Sequence, residues 1–147
     1  LFRSVIQELS SEITTLAYNP ENGQIEIIET VSTLPANFAG ESHCADIHVS
    51  PDGRFVYGSN RGHDSIVIFR VDESSGRLSL VGHQATLGEI PRNFAIDPTG
   101  TFLLAANQDS DTVVTFRIDR ESGQLEDIGE MAEVPTPVCL KFSGISD

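Results

Sequence analysis

The chain has 147 residues, of which 39% are hydrophobic and 21% are charged, a composition typical of a soluble globular domain. Acidic residues outnumber basic ones by 22 to 9, and the resulting formal charge of −13 would repel phosphate backbones and anionic membranes. The sequence therefore predicts neither a nucleic-acid partner nor a membrane partner, and it has no apolar run near the ~18 residues of a membrane-spanning helix.

Residues 1–40 predict three strands. Short apolar runs alternate with polar residues in SVIQEL, ITTLAYN and QIEIIETV, and helical periodicity is almost absent. The segment NPENG between the second and third runs has the composition of a tight turn. We interpret this part of the chain as the last three strands of a repeated unit.

Residues 41–88 predict a complete unit of four strands. The strands are CADIHV (44–49), RFVYGS (54–59), SIVIFRV (65–71) and RLSLVGH (77–83). SPDG forms a tight turn between the first two, because proline pre-sets its φ angle and glycine accepts a positive φ. DESSG has the same role between the third and fourth strands.

Residues 89–135 repeat this unit. Pro51 corresponds to Pro98 and Gly53 to Gly100, each at an offset of 47 residues. The matching strands are NFAID, TFLLAA, TVVTFRI and QLEDIGEM, and PVCLKF (137–142) is predicted to be the first strand of a further unit. Residues 136–147 are therefore expected to begin a closing unit.

Four antiparallel strands that recur every ~40–50 residues are typical of β-propeller blades. We predict an all-β fold with about three blades, because a sandwich needs no fixed period and a parallel β-helix has much shorter coils. A ring needs at least four blades, so the missing ones are expected from N-terminal sequence or another chain. Leu1 fits a processed or truncated chain, and both Cys44 and Cys139 are expected to be buried free thiols.

Three stretches carry a resemblance to a known family: ADIHVSPDGRFVYGSNRGHDSIVIF, PRNFAIDPTGTFLLAANQDSDTVVTFRID and PTPVCLKF. Together they resemble the seven-bladed lactonase propellers, which include propeller-type 6-phosphogluconolactonases and 3-carboxymuconate cyclases. The resemblance extends from about Val5 to Phe142. It implies a seven-bladed enzyme of which this chain is the C-terminal part, without a metal or organic cofactor. In the phosphogluconolactonase branch it implies hydrolysis of 6-phospho-glucono-δ-lactone in the pentose phosphate pathway.

Asp46 and His48 are the candidate catalytic residues. They lie two apart on an innermost strand, so their side chains should share one face. The carboxylate could orient the imidazole, and His48 could then take a proton from water that attacks a lactone carbonyl. The alternative is a structural polar pair between blades. The repeat does not require the pair, because the next blade has Asn93 and Ala95 at these positions.

Arg61, Arg92 and Gln108 are the candidate substrate-binding residues. Arg61 follows the second strand of its blade, where the next blade has Gln108. A planar guanidinium suits a phosphate, a carboxylate or an oxyanion. Arg92 precedes an innermost strand whose start should face the channel, and Gln108 is expected at the channel mouth. The structural alternatives are an Arg61–Asp64 pair in the loop and a surface salt bridge for Arg92.

The spacing of His43, His48 and His63 relative to Asp46 does not indicate a metal site, so none is expected. The leading hypothesis is a lactone hydrolase similar to 6-phosphogluconolactonase, acting on an anionic small molecule in the cytoplasm and inactive as this fragment alone. A non-catalytic interaction propeller of the YVTN or WD type is one alternative. A carboxymuconate-lactonizing cycloisomerase is the other.

Overall fold

The structure is a computed structural model that describes residues 1–143, a chain of β-strands joined by turns. In chain order the strands are β1 (Phe2–Gln7), β2 (Glu12–Tyr18), β3 (Ile25–Ser32), β4 (His43–Val49), β5 (Phe55–Arg61), β6 (Ser65–Val71), β7 (Leu78–Ala85), β8 (Pro91–Ile96), β9 (Phe102–Asn107), β10 (Thr112–Ile118) and β11 (Leu125–Glu133). Within the described residues, no helix has the length and apolar character needed to cross a membrane.

The strands form three antiparallel sheets, which we call blade 1 (β1–β3), blade 2 (β4–β7) and blade 3 (β8–β11). In each sheet, strands that are consecutive in the chain pair with each other, as the repeat predicts. The boundaries differ by one or two residues from those predicted. β5 continues to Arg61, which pairs with His43, and β8 begins at Pro91. Arg61 and Arg92 therefore lie in strands rather than in loops.

The turns predicted from the repeat have the same geometry in blades 2 and 3. The N–H of Gly53 donates to Ser50 O over 2.8 Å, and the N–H of Gly100 donates to Asp97 O over the same distance. These glycines have φ angles of +77° and +70°, in the left-handed region that favours glycine. The recurrence of SPDG and DPTG thus has a backbone cause.

The blades pack face to face, which explains why their central strands are apolar on both sides. Alternate residues of β5 and β6 face opposite neighbours. The cluster between blades 2 and 3 consists of Phe55, Tyr57, Ile66, Ile68, Phe94, Leu103, Ala105, Val114, Phe116, Ile118 and Leu125. The cluster between blades 1 and 2 is built from Ile13, Val56, Val67 and Phe69.

Buried asparagines add polar links between the blades. Asn60 donates from Nδ2 to Thr33 O over 3.0 Å and accepts from Thr33 Oγ1 over 2.8 Å. At the corresponding place in blade 3, Asn107 donates to Thr86 O over 2.9 Å. Both asparagines are fully buried. The repeated SN and AN dipeptides therefore tie each blade to the one before it.

Residues 137–142, predicted to begin a further blade, form no strand within the described chain, because a strand requires a partner. One contact nevertheless repeats the start of β8. The N–H of Leu140 donates to Asn93 Oδ1 over 2.6 Å, as the N–H of Phe94 donates to Asp46 Oδ2 over 3.3 Å. That the segment joins a closing blade stays a prediction.

The two cysteines differ from each other. Both are free, and Cys44 is buried as predicted, but Cys139 is exposed. The prediction for Cys139 was wrong because this residue lies in the unpaired C-terminal segment. Burial raises the pKa of the Cys44 thiol, and this effect outweighs the opposing hydrogen bond with Thr33.

Candidate functional site

The ends of β1, β5 and β9, which are equivalent strands of the repeat, carry different polar residues at the same structural position. Glu8, Arg61 and Gln108 each directly follow the residue that closes the ladder with the next strand. The scaffold repeats, whereas the residue type changes from an anion to a cation to an amide. The fold therefore does not require a particular side chain at this position, and the residue there can differ from blade to blade according to its function.

Arg61 and Arg92 line one shallow depression of about 150 Å³. Its other lining residues are Glu8, Cys44 and Ala45, so all three blades contribute to it. The structure thus brings together the two arginines that the sequence singled out. It also adds Glu8, which sequence reasoning missed.

Arg61 is held firmly on one side of this depression. Its Nη2 donates to Glu8 Oε1 over 2.5 Å and to the carbonyl oxygen of Cys44 over 3.1 Å. The side chain of Arg61 is 16% exposed, whereas that of Glu8 is 61% exposed. Its Nε is buried and has no hydrogen-bond partner among residues 1–143. The structure therefore leaves one buried donor of the guanidinium unused.

The alternative partner predicted for Arg61 was Asp64, and this pairing is wrong. The carboxylate of Asp64 instead accepts the backbone N–H groups of Gly62 and Ile90, over 3.0 and 2.9 Å. Asp64 thereby fixes the loop behind Arg61 to the start of blade 3. The cation is left to pair with a residue from another blade.

Three cationic or titratable groups surround the carboxylate of Glu8. The hydrogen bond from Arg61 and its positive charge lower the pKa of Glu8, with further lowering from His43 and Arg92. Glu8 is therefore ionised at neutral pH and balances one of the two arginines. The depression keeps an excess of positive charge in a chain whose formal charge is −13.

Asp46 and His48 are also in contact, on the same side of β4 as predicted. Nε2 of His48 donates to Asp46 Oδ2 over 3.1 Å, and the imidazole packs edge-on against the Phe94 ring at 4.8 Å. Burial opposes ionisation of Asp46, but the His48 hydrogen bond and charge and the N–H groups of Phe94 and Ile47 together lower its pKa. The carboxylate is thus a stable anion beside the imidazole.

Asp46 also links two blades. The side chain of Asn93 and the N–H of Phe94 both donate to its Oδ2. The structural alternative considered for the Asp46–His48 pair therefore has a physical basis in the contacts to blade 3. These contacts and the imidazole share one carboxylate oxygen.

The arginines and the histidine form two adjacent groups rather than a single cluster. Arg61 pairs with His43 at the start of β4, whereas His48 pairs with Tyr57 five residues further along, roughly 16 Å of extended strand. Ala45 lines the depression, and its chain neighbour Asp46 begins the second group.

Gln108 belongs to neither group. Its side-chain Oε1 is buried and has no hydrogen-bond partner in the part of the chain that the structure describes. Its backbone N–H donates to Ile90 O over 2.9 Å. A role for Gln108 in substrate binding stays a prediction.

His63, in the turn after β5, contacts the segment between blades 1 and 2 and the last strand of blade 2. Its ring contacts those of Phe38 and His83, with centroids 4.8 and 5.6 Å away. Burial, followed by the charge of His83, lowers the pKa of His63. Across residues 1–143, no group of three or more His, Cys, Asp or Glu side chains is placed to hold a metal ion.

Meandering four-stranded sheets that pack face to face around their first strands define a β-propeller architecture. The comparison with known families agrees with this class. The chain belongs to the family described as "Lactonase, 7-bladed beta-propeller", whose profile matches residues 3–142. The expected family and fold class are therefore confirmed.

Named relatives support the family assignment. The chain is 46% identical over 138 residues to a 6-phosphogluconolactonase of Bacillus subtilis, covering 94% of this chain and 40% of that protein. A 6-phosphogluconolactonase of Formosa agariphila is 48% identical over 94 residues, or 63% of this chain and 26% of that protein. The structure of a periplasmic gluconolactonase of Pseudomonas aeruginosa superposes with a TM-score of 0.88 at 34% identity, covering 98% of this chain and 42% of that one. The chain thus spans well under half the length of these relatives.

Proposed function

We propose that these blades are part of a lactone hydrolase similar to 6-phosphogluconolactonase, and that the depression between the blades binds the anionic group of the substrate. The observation that carries this proposal is the convergence of Arg61 and Arg92 from neighbouring blades in a strongly acidic chain. Guanidinium groups bind phosphate and carboxylate oxygens in pairs of parallel hydrogen bonds. An anion in the depression could also give the buried Nε of Arg61 the partner that such donors normally have.

For the chemical step, we propose that His48 activates water. Its Nε2 is engaged by Asp46, which leaves Nδ1 as the nitrogen that can accept a proton. The water oxygen bonds to the lactone carbonyl carbon while its proton passes to His48. The ring C–O bond then breaks, and the leaving oxygen takes the proton to give the open-chain acid. General-base assistance of this kind contributes roughly 10²–10⁴-fold.

Glu8 is a second candidate for the base. It lies in the depression itself, is well exposed, and remains ionised because Arg61 lowers its pKa. A lowered pKa makes a carboxylate a weaker base, so we assign Glu8 to orienting Arg61 and His48 to proton transfer. Substitution of each residue separates the two assignments.

We propose that the three blades act within a closed ring, completed by further blades of the same polypeptide or by another chain. Blade 1 has three strands, so the edge of β1 opposite β2 is unpaired among the described residues, and such edges are normally covered. The proposed ring needs no cofactor, and three blades alone would be inactive. We propose a cytoplasmic location, although one solved relative is named a periplasmic protein.

The test is hydrolysis of 6-phosphogluconolactone and of unphosphorylated gluconolactone by the full-length protein that contains this chain. We expect faster turnover of the phosphorylated lactone, a lower kcat for His48→Ala and a higher KM for Arg61→Ala. Rates equal to buffer for both lactones would contradict the proposal and favour muconate cycloisomerisation or a non-catalytic interaction module. Loss of activity in Glu8→Gln with normal kcat in His48→Ala would move the base to Glu8.

A further inference from the structure

The link between blades 1 and 2 is longer than the link between blades 2 and 3. It has ten residues, 33–42, between β3 and β4, whereas five residues, 86–90, connect β7 and β8. Both begin with a buried threonine: Thr33 donates to Ser11 O in the turn before β2, and Thr86 donates to Asp64 O in the turn before β6. We call residues 33–42 the long link. Its additional residues have no counterpart in the blade 3 repeat.

The long link packs on the end of β5, at Arg61, and on the loop that follows it. Ser42 donates from Oγ to the carbonyl oxygen of Arg61 over 3.0 Å. The Phe38 ring meets the His63 ring edge-on at 4.8 Å. The link thus contacts the loop on both sides of its central residue, Gly62.

Gly62 lets the two segments approach. Its φ is +100°, and a Cβ at this position would collide with the carbonyl oxygen of Glu41 in the long link. The corresponding residue of blade 3, where the link is short, is Asp109 rather than glycine. The glycine is therefore tied to the presence of the long link and not to the blade itself.

We infer that the long link is a positioning segment for Arg61, with Phe38 and Gly62 as its contact residues. This inference rests on the proposed anion-binding role of Arg61. The link holds the carbonyl group of Arg61 and the ring of His63 two residues further on, while Glu8 and the Cys44 carbonyl hold the guanidinium. A shift of about 1 Å at such a group is enough to impair a site by orders of magnitude.

The experiment compares Gly62→Ala with Gly53→Ala in the full-length protein. Gly53 is a matched control, since its φ of +77° imposes similar backbone strain but a Cβ there would meet nothing within 4 Å. A third variant, Phe38→Ala, removes the ring contact without changing the backbone of the loop. Hydrogen–deuterium exchange over residues 61–64 and KM for the phosphorylated and unphosphorylated lactones are measured for each protein.

We expect faster exchange over residues 61–64 in Gly62→Ala and Phe38→Ala, but wild-type exchange there in Gly53→Ala. KM for the phosphorylated lactone should rise about ten-fold in Gly62→Ala, the loss expected for one weakened charge-assisted hydrogen bond, while that for the unphosphorylated lactone stays within about two-fold. Wild-type exchange over residues 61–64 in Gly62→Ala and Phe38→Ala would overturn the inference, whatever the activity of these variants. An inactive wild-type protein would instead contradict the proposed function, because the exchange measurement does not depend on turnover.

Discussion

Asn60 and Asn107 lie at equivalent positions of blades 2 and 3, so the contributions of their hydrogen bonds to stability can be compared. Asn60 has four polar partners, Thr33 O, Thr33 Oγ1, Ser65 Oγ and Cys44 Sγ, although the single hydrogen of the Thr33 hydroxyl is shared between Asn60 Oδ1 and Ser11 O. Asn107 makes two, both from Nδ2, and its Oδ1 has no partner among residues 1–143. Both side chains are fully buried, so solvent does not replace the lost partners.

Truncation to alanine should therefore cost more at Asn60 than at Asn107. At about 1 kcal/mol of net stabilisation per full hydrogen bond, Asn60→Ala should lower the free energy of unfolding by about 3 kcal/mol and Asn107→Ala by about 2 kcal/mol. Urea denaturation of the full-length variants, monitored by far-ultraviolet circular dichroism, measures the difference between their free energies of unfolding. Both substitutions remove the same side-chain atoms, so the free-energy costs of the two cavities largely cancel in the comparison.

Equal losses in the two variants, or a larger loss for Asn107→Ala, would refute this reasoning. Such a result would mean that burial of the amide, rather than the number of its partners, sets its contribution. A change in the denaturant slope would indicate that unfolding is no longer a single transition and would require thermal unfolding as a second measure.

Two further predictions concern charge. Glu8→Gln keeps a side-chain oxygen that can accept the Arg61 hydrogen bond and orient it, but removes the negative charge that competes with a bound anion. Binding of inorganic phosphate should therefore tighten by up to about five-fold in calorimetric titrations, the range of an exposed ion pair. Glu29→Gln, which affects a pair with Arg77, is the control, and weaker binding would contradict the prediction. Because the pKa of His63 is lowered on folding, the unfolded chain takes up the proton first, so stability should fall as the pH drops below about 6.5. The decrease in Tm between pH 7.5 and 5.5 should be smaller in His63→Gln, and an equal decrease would argue against this role.

The blades were predictable because their determinants are local. Turn residues such as Gly53 and Gly100 set the backbone, and alternating apolar runs set the strands, so the positions of β1–β11 were predicted within two residues. The strand predicted at 137–142 is not formed among the described residues. The pairing of Asp46 with His48 followed from strand alternation alone. The failure at Cys139 has the opposite cause, since its burial depends on a partner strand that the segment does not have among residues 1–143.

The depression could be predicted only in part. Arg61 and Arg92 were predicted because they differ from the residues at the same positions of the repeat. Glu8 was missed because it lies 53 residues before Arg61, in a blade of three strands that offers no complete unit for comparison. Aligning the ends of the equivalent strands β1, β5 and β9 would have placed Glu8, Arg61 and Gln108 at one position. The separation of His48 from the arginines along β4 needed the strand register.

The most direct test of the central proposal is a double-mutant cycle on anion binding. Calorimetric titration of the full-length protein with 6-phosphogluconate is carried out for wild type, Arg61→Ala, Arg92→Ala and the double variant, with Arg117→Ala as a control on β10. If both arginines bind one anion, each single substitution should weaken binding at least about ten-fold, and the double should weaken it by less than the product of the two. Wild-type affinity in either single variant, or strictly multiplicative effects, would contradict a shared anion site in the depression.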